Sequence, residues 1–221
     1  FRPALEKDSF LITKKFQADY IQAGSGLVKI GPVDFNGLIT DRILDIKKIS
    51  ITDAYFSDYK DKSMPFNPGV IKPLPVDLLK KIPLKISVDT VQFENASVDY
   101  TEVNEKTKGR GIIPVKRMSV RLLHVQNFNW STTDSLVIGA RGYLMDTLWF
   151  SLALKESYAD SSGGFRMTLR LRPADLTVLN SALMPLASVK RLSCTLDTLY
   201  MSAAGREYLA LGEMKMFYKD L

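Results

Sequence analysis

Six apolar residues recur at one spacing in three stretches of the chain, and that spacing narrows the possible folds more than any other feature. They are Ile86, Val88, Val91, Phe93, Ala96 and Val98. The same steps occur 42 residues earlier (86 against 44) in Leu44, Ile46, Ile49, Ile51, Ala54 and Phe56, and again in Ile113, Val115, Met118, Val120, Leu123 and Val125. Looser copies are Val28, Ile30, Val33, Phe35 and Leu38, and Cys194, Leu196, Leu199, Met201 and Ala204. Within each pair the period is two, which puts both residues on one face of a β-strand. The step of three between pairs reverses the face, as a bulge or bend would, so each strand is expected to bury its two ends on opposite faces. A helix would need steps of three and four, and these segments are rich in Val, Ile and Thr. The residues between (Lys47, Lys48, Ser87, Asp89, Thr90) are polar, as on a sheet with one solvated side.

Other segments alternate without a kink. Leu148, Phe150, Leu152 and Leu154 make one face against Trp149, Ser151, Ala153 and Lys155; Phe165, Met167, Leu169 and Leu171 make another against Arg166, Thr168, Arg170 and Arg172. Ser161-Ser162-Gly163-Gly164 between them reads as a hairpin loop. A closing strand carries Tyr208, Ala210, Gly212, Met214, Met216 and Tyr218 on one face and Leu209, Leu211 and Phe217 on the other, a pattern that predicts cover on both sides. Two helices are expected. One lies near Val76–Lys81, bounded by Pro73, Pro75 and Pro83. The other runs over 173–186, opened by Pro173, striped by Leu176, Leu179, Leu183 and Leu186, and ended by Pro185. The expected fold is mainly β: a large, twisted, mostly antiparallel sheet of repeated kinked strands, groove-like, with two short helices. Its divisions are β repeats over 1–60, a Pro-rich loop and short helix over 61–83, and a C-terminal β region over 84–221.

Composition excludes several functions. With 46% hydrophobic residues, 221 residues can bury a core without staples, and the single cysteine, Cys194, excludes a disulfide scaffold. The single histidine, His124, and the absence of any Cys or His pair at zinc spacing remove the common metal and Cys–His schemes. Gly24-Ser25-Gly26 and Gly37 do not make a phosphate-binding loop, and Asp58, Asp61 and Asp77 read as loop and cap residues rather than an acid/base pair. No catalytic residue, metal or cofactor is expected, and the chain is read as a non-enzyme. Lys and Arg exceed Asp and Glu by 30 to 24, a mild pull toward anionic surfaces. The densest basic stretch, Lys106 to Arg121, has no interleaved aromatic, so no nucleic-acid partner is expected. Asn95-Ala96-Ser97 and Asn129-Trp130-Ser131 match the glycosylation triplet, which matters in a eukaryotic secretory setting. A start at Phe1 and an end at Leu221 in mid-pattern read as an excised piece of a larger protein.

Three stretches together resemble the AsmA-like (DUF748-type) family of bacterial envelope proteins. The first is Ile82-Pro83-Leu84-Lys85-Ile86-Ser87-Val88-Asp89 leading into Asn95-Ala96-Ser97-Val98-Asp99-Tyr100-Thr101-Glu102. The second is Asp175-Leu176-Thr177-Val178-Leu179-Asn180 followed by Pro185-Leu186-Ala187, and the third is Gly212-Glu213-Met214-Lys215-Met216-Phe217-Tyr218-Lys219-Asp220-Leu221. Cys194 departs from the pattern, standing where such sequences tend to carry Gly. The resemblance covers about the C-terminal two-thirds. It implies a long β-sheet bent into a groove, as in bridge-like lipid transfer proteins, held at the inner membrane by a segment outside this chain and projecting into the periplasm. It also implies a role in phospholipid transport to, or assembly of, the outer membrane. The expected partners are phospholipid or another envelope lipid, the membrane, and neighbouring β repeats. The residues assigned to the lipid groove are Ile86, Val88, Val91, Phe93, Phe150, Leu152, Leu154, Phe165, Met167, Leu169, Met214 and Met216. Apolar faces of this kind suit a closed scaffold core equally well. The aromatics Trp130, Trp149, Tyr143 and Tyr158 leave an adhesin-like binding domain as a further alternative.

Overall fold

The structure, a computed structural model, describes residues 1–69, 72–161, 164–190, 193–206 and 209–219. Its strands are β1 (Asp19–Gly24), β2 (Val28–Ile30), β3 (Ile43–Thr52), β4 (Tyr55–Asp61), β5 (Lys85–Val103), β6 (Arg110–Gln126), β7 (Ser135–Leu144), β8 (Leu148–Ser157), β9 (Phe165–Leu171), β10 (Ala174–Asp175), β11 (Thr195–Arg206) and β12 (Leu209–Lys219). All twelve belong to one open sheet, ordered β1-β4-β5-β6-β7-β8-β9-β11-β10, with β12 on β11, and β2 on β3, which itself pairs with β5. Pairing is antiparallel except that β3 and β4 both run parallel to β5. The mainly β, mostly antiparallel architecture expected from the spacing is what forms.

The 42-residue repeat is a pairing register. Leu44 lies opposite Ile86, Ile46 opposite Val88, Ile49 opposite Val91, Ile51 opposite Phe93, and Phe56 opposite Val98. β3 and β4 are thus one strand interrupted at Asp53–Ala54, lying in register along the 19-residue β5. The interruption is matched across the sheet by residues in the left-handed region: Asp53 (φ 52°), Asn95 (φ 54°) in β5 and Arg117 (φ 50°) in β6. Register shifts fall beside Asn95 and Arg117. The step of three does not reverse the face as expected. Ile49 and Val91 pack against the same buried cluster as Ile46 and Val88. The 46–49 and 88–91 steps cross Lys47 and Asp89, which drop out of the pairing beside the left-handed His124; the 51–54 and 93–96 steps cross Asp53 and Asn95, and Ile51, Ala54, Phe93 and Ala96 line one hollow. Each irregularity takes up one residue, so the apolar positions on either side stay on one face.

Among the described residues four α-helices form, two more than expected: α1 (Lys7–Ile12), α2 (Phe35–Thr40), α3 (Pro75–Lys80) and α4 (Asn180–Ala187). The first looser copy of the strand pattern therefore fails beyond Val33, which still bridges Ile46. Asp34 accepts from Gly37 N–H at 3.0 Å and caps α2, taking Phe35 and Leu38 into a helix. The expected helix over 173–186 is three pieces: β10, a tight helical turn over Leu176–Leu179 capped by Asp175, and α4. Pro185 does not end α4, which runs on to Ala187 and closes on Ser188 in the left-handed region. The closing strand is not covered on both sides. Among the described residues β12 pairs only with β11, and Leu209, Leu211, Met214, Phe217 and Tyr218 are all exposed. The hairpin-loop residues Ser162 and Gly163, and Tyr208, Asp220 and Leu221 of the closing motif, lie outside the described residues.

Candidate functional site: an apolar sheet face between two helical covers

Because alternate residues share a face, the strand registers define rows that cross the sheet. One row is Val28, Ile51, Phe93, Val120, Ala140, Leu152, Leu169, Met201 and Met214, each directly opposite the next on nine successive strands. A second row is Ile30, Ile49, Val91, Leu122, Ile138, Leu154, Met167, Ala203 and Gly212. No polar side chain interrupts either. Eight steps at about 4.8 Å make an apolar strip roughly 38 Å long. None of these eighteen residues is fully buried.

Each end of the strands is covered on this same face. At one end Val76 and Leu79 of α3 pack with Ile46, Val88, Val125, Leu136 and Tyr158. Trp130 stacks on the Tyr158 ring with centroids 5.7 Å apart. The Tyr158 hydroxyl donates to the carbonyl of His124 and accepts from Gln126 N–H, pinning β6 where His124 enters the left-handed region. Glu156, 1% exposed, accepts the Val76 N–H at 3.2 Å on each oxygen, and burial raises its carboxyl above the ordinary value. At the other end Leu176 and Leu179 pack with Leu148, Leu171, Leu196, Leu199 and the buried Cys194. α4 continues over the β5–β6 hairpin, where Leu186 lies against Gly111 and Asn104 Nδ2 donates to the Leu186 carbonyl at 2.6 Å. The strip runs between these two covers.

On the β3–β6 side the strip deepens into a hollow of about 480 Å³, floored by Ile51, Ala54, Phe56, Phe93, Ala96 and Val120, with Phe1 and Gly24 at its rim. Beyond Phe56 and Val98, the same strands turn polar on the same face. Asp58 lies between Ile21 and Tyr100, and Lys60 between Asp19 and Glu102. Lys60 reaches Asp19 at 3.4 Å, Lys72 also pairs with Asp19, Lys62 meets Glu102 at 2.8 Å, and the Tyr100 hydroxyl donates to Glu102 at 2.6 Å. Asp58 Oδ1, like Asp19 Oδ1, is closed off from solvent and has no hydrogen-bond donor among the described residues. Burial, and then the Asp19 carboxylate, push the Asp58 carboxyl upward.

All twelve residues assigned to a groove lie on this face. Val88 is buried under α3, with Val91 against it; Phe150, Leu169 and Met216 border the second cover. Ile86 is half-buried opposite Leu44, and Phe93 floors the hollow. Leu152, Leu154, Phe165 and Met167 are half-buried along the middle, and Met214 is 59% exposed. The assignment missed Val120, Ala140 and Met201, which only a knowledge of register joins to the others. It also misplaced Asp58, which sits within β4 rather than in a loop; Asp61 and Asp77 do hold a turn and a first helical turn.

The opposite face is polar and basic, with Arg121, Arg141, Lys155, Arg166, Arg170 and Lys215 all exposed. Arg172 lies 3.8 Å from the Trp149 ring and Arg117 4.1 Å from that of Tyr143. Neither the models of protein families nor the curated proteins include a match to this chain. Among the described residues no helix is long and apolar enough to cross a membrane.

Proposed function

We propose that this chain is a non-enzymatic lipid-handling segment of AsmA-like type, in which acyl chains lie along the apolar strip between α3 and α4. The observation that carries the proposal is the pair of uninterrupted apolar rows on nine strands, flanked by two helical covers, with none of the eighteen residues fully buried. The hydrocarbon core of a bilayer is about 30 Å thick, so one acyl chain spans about half of that and fits within the strip. Each buried CH₂ contributes about 0.8 kcal/mol, so no single polar contact is needed to hold a chain. The proposed setting is the periplasm, with attachment to the inner membrane through a segment outside this chain, and the proposed role is movement of phospholipid toward, or assembly of, the outer membrane.

The packing of α3 and the Leu176–Leu179 turn favours a second reading, a scaffold whose helices close its core; they cover the strand ends and pack against part of both rows, while the rest of the rows, such as Leu152 and Leu154, stay half-buried. The adhesin alternative has little support: Trp130, Trp149 and Tyr143 each stack on or under a protein group, and Tyr158 is buried. Native mass spectrometry with solvent extraction, on protein from gently lysed cells, decides between strip and scaffold. Phospholipid that leaves only in organic solvent is the expected result. A lipid-free mass with no uptake from labelled liposomes would overturn the lipid reading.

A further inference from the structure

We infer that the hollow and the polar row beside it form a headgroup-selective lipid site, taking a zwitterionic phospholipid with a primary ammonium group, such as a phosphatidylethanolamine. The inference rests on the acyl-strip reading and adds to it which headgroup is held and by which residues. Three features meet at one place. The hollow supplies an apolar bed of about 480 Å³ at the β3–β6 end of the strip. Asp58 follows Phe56 by two residues on the same face, so it is the first carboxyl residue along β4 beyond the bed, with its unpartnered Oδ1 turned inward where an ammonium reaches it only on displacing what covers it. Lys60 follows by two more, and Lys62 stands just beyond the end of β4.

The charges in that row are unequally satisfied. Lys60 is ion-paired with Asp19 at 3.4 Å and Lys62 with Glu102 at 2.8 Å, which leaves N–H donors over for phosphate, since an ammonium carries three. Asp58 makes no ion pair among the described residues, and its Oδ1 accepts no hydrogen bond. A half-buried carboxylate in that condition favours a cation that brings its own donors. A primary ammonium does so, and the adjoining phosphate then falls toward the lysines. An anionic headgroup such as phosphatidylglycerol offers the lysines the same phosphate and gives Asp58 no cation. A quaternary ammonium brings charge without an N–H donor.

The test uses three probes with identical fluorescent acyl chains: phosphatidylethanolamine, phosphatidylglycerol and diacylglycerol, each titrated into the purified protein. The expected result is binding of all three, with phosphatidylethanolamine about tenfold tighter than phosphatidylglycerol, as one charge-assisted hydrogen bond gives. Asp58→Asn should bring those two together and leave diacylglycerol unchanged, whereas Asp58→Glu should keep the preference. Equal binding of the two phospholipids by the wild type, or a preference that survives Asp58→Asn, overturns the headgroup site while diacylglycerol binding leaves the strip standing. Binding of none of the three overturns both.

Discussion

The side-chain amide of Asn95 donates to the Asp53 carboxylate at 2.7 Å, and both residues hold left-handed backbone, at φ 54° and 52°. They stand 42 residues apart in sequence (95 against 53), in the same relation as the paired apolar residues on either side. The bond ties the bend between β3 and β4 to the bulge in β5, where the two strands would otherwise drift out of register. Asn and Asp enter the left-handed region at lower cost than other side chains, which explains their presence at an exposed bend and an exposed strand position.

Asn95→Ala should therefore destabilise the fold by about 1–2 kcal/mol, combining the left-handed cost with the lost bond. Asn95→Gly keeps the backbone conformation and should recover most of that loss. Urea unfolding midpoints of the two variants check the point. Equal losses would mean that the bond, and not the backbone conformation, holds the bulge.

Gly111 supplies the contact that seats α4. A Cβ built there would lie 2.5 Å from Leu186 Cγ, so Gly111→Ala should cost about 1–3 kcal/mol by pushing the helix off β6. In combination with Leu186→Ala the cost should be smaller than the sum of the two single changes by at least about 0.5 kcal/mol, because the clash is gone. Strict additivity would show that α4 docks mainly through Asn104 and Thr107, whose side chains hold the Leu186 and Pro185 carbonyls.

Glu156 makes stability depend on pH. Its folded value is raised above 4.5 by burial first and by Asp77, so between 4.5 and that folded value the folded chain binds more protons than the unfolded one. Stability from this group is greatest below 4.5 and is lost as pH rises through the folded value. Glu156→Gln keeps a carbonyl to accept the Val76 N–H and removes the titration. The variant should match the wild type near pH 4.5 and be the more stable of the two at pH 7.5, by urea midpoints at both. A variant that falls below the wild type at pH 7.5 would mean that the ionised carboxylate holds α3 better than a neutral amide.

Much of the fold was legible because a strand's period is two and the sheet repeats it. The 42-residue spacing already contained the parallel register of β3–β4 on β5, although periodicity alone does not distinguish a neighbour from a distant copy. The step of three does not reverse the face, which spacing alone could not show because it does not report φ: across a left-handed Asp53 or Asn95, Ile51 and Ala54, or Phe93 and Ala96, line one hollow where a regular strand would have reversed them. α1 and α2 were missed because six residues carry less than two turns of helical period. The polar row at Asp58 was illegible because its partners, Ile21 and Tyr100, come from strands far apart in sequence.

The strip and the core differ in one measurable way, which separates the lipid reading from the scaffold. Leu196 is 0% exposed at the centre of the cluster under Leu176, whereas Leu152 is half-buried in the middle of the first row. A carboxylate introduced at Leu196 has no access to water, so Leu196→Glu should abolish folding, and even Leu196→Ala should cost about 2–5 kcal/mol. At Leu152 the carboxylate keeps its water, and Leu152→Glu should leave a cooperative unfolding transition within about 2 kcal/mol of the wild type. The same charge sits where acyl chains are proposed to lie, so that variant should lose uptake of labelled lipid from liposomes. If Leu152→Glu unfolds the protein as Leu196→Glu does, the middle of the face is core and the scaffold reading gains. If it folds and still takes up lipid, the acyl chains lie elsewhere.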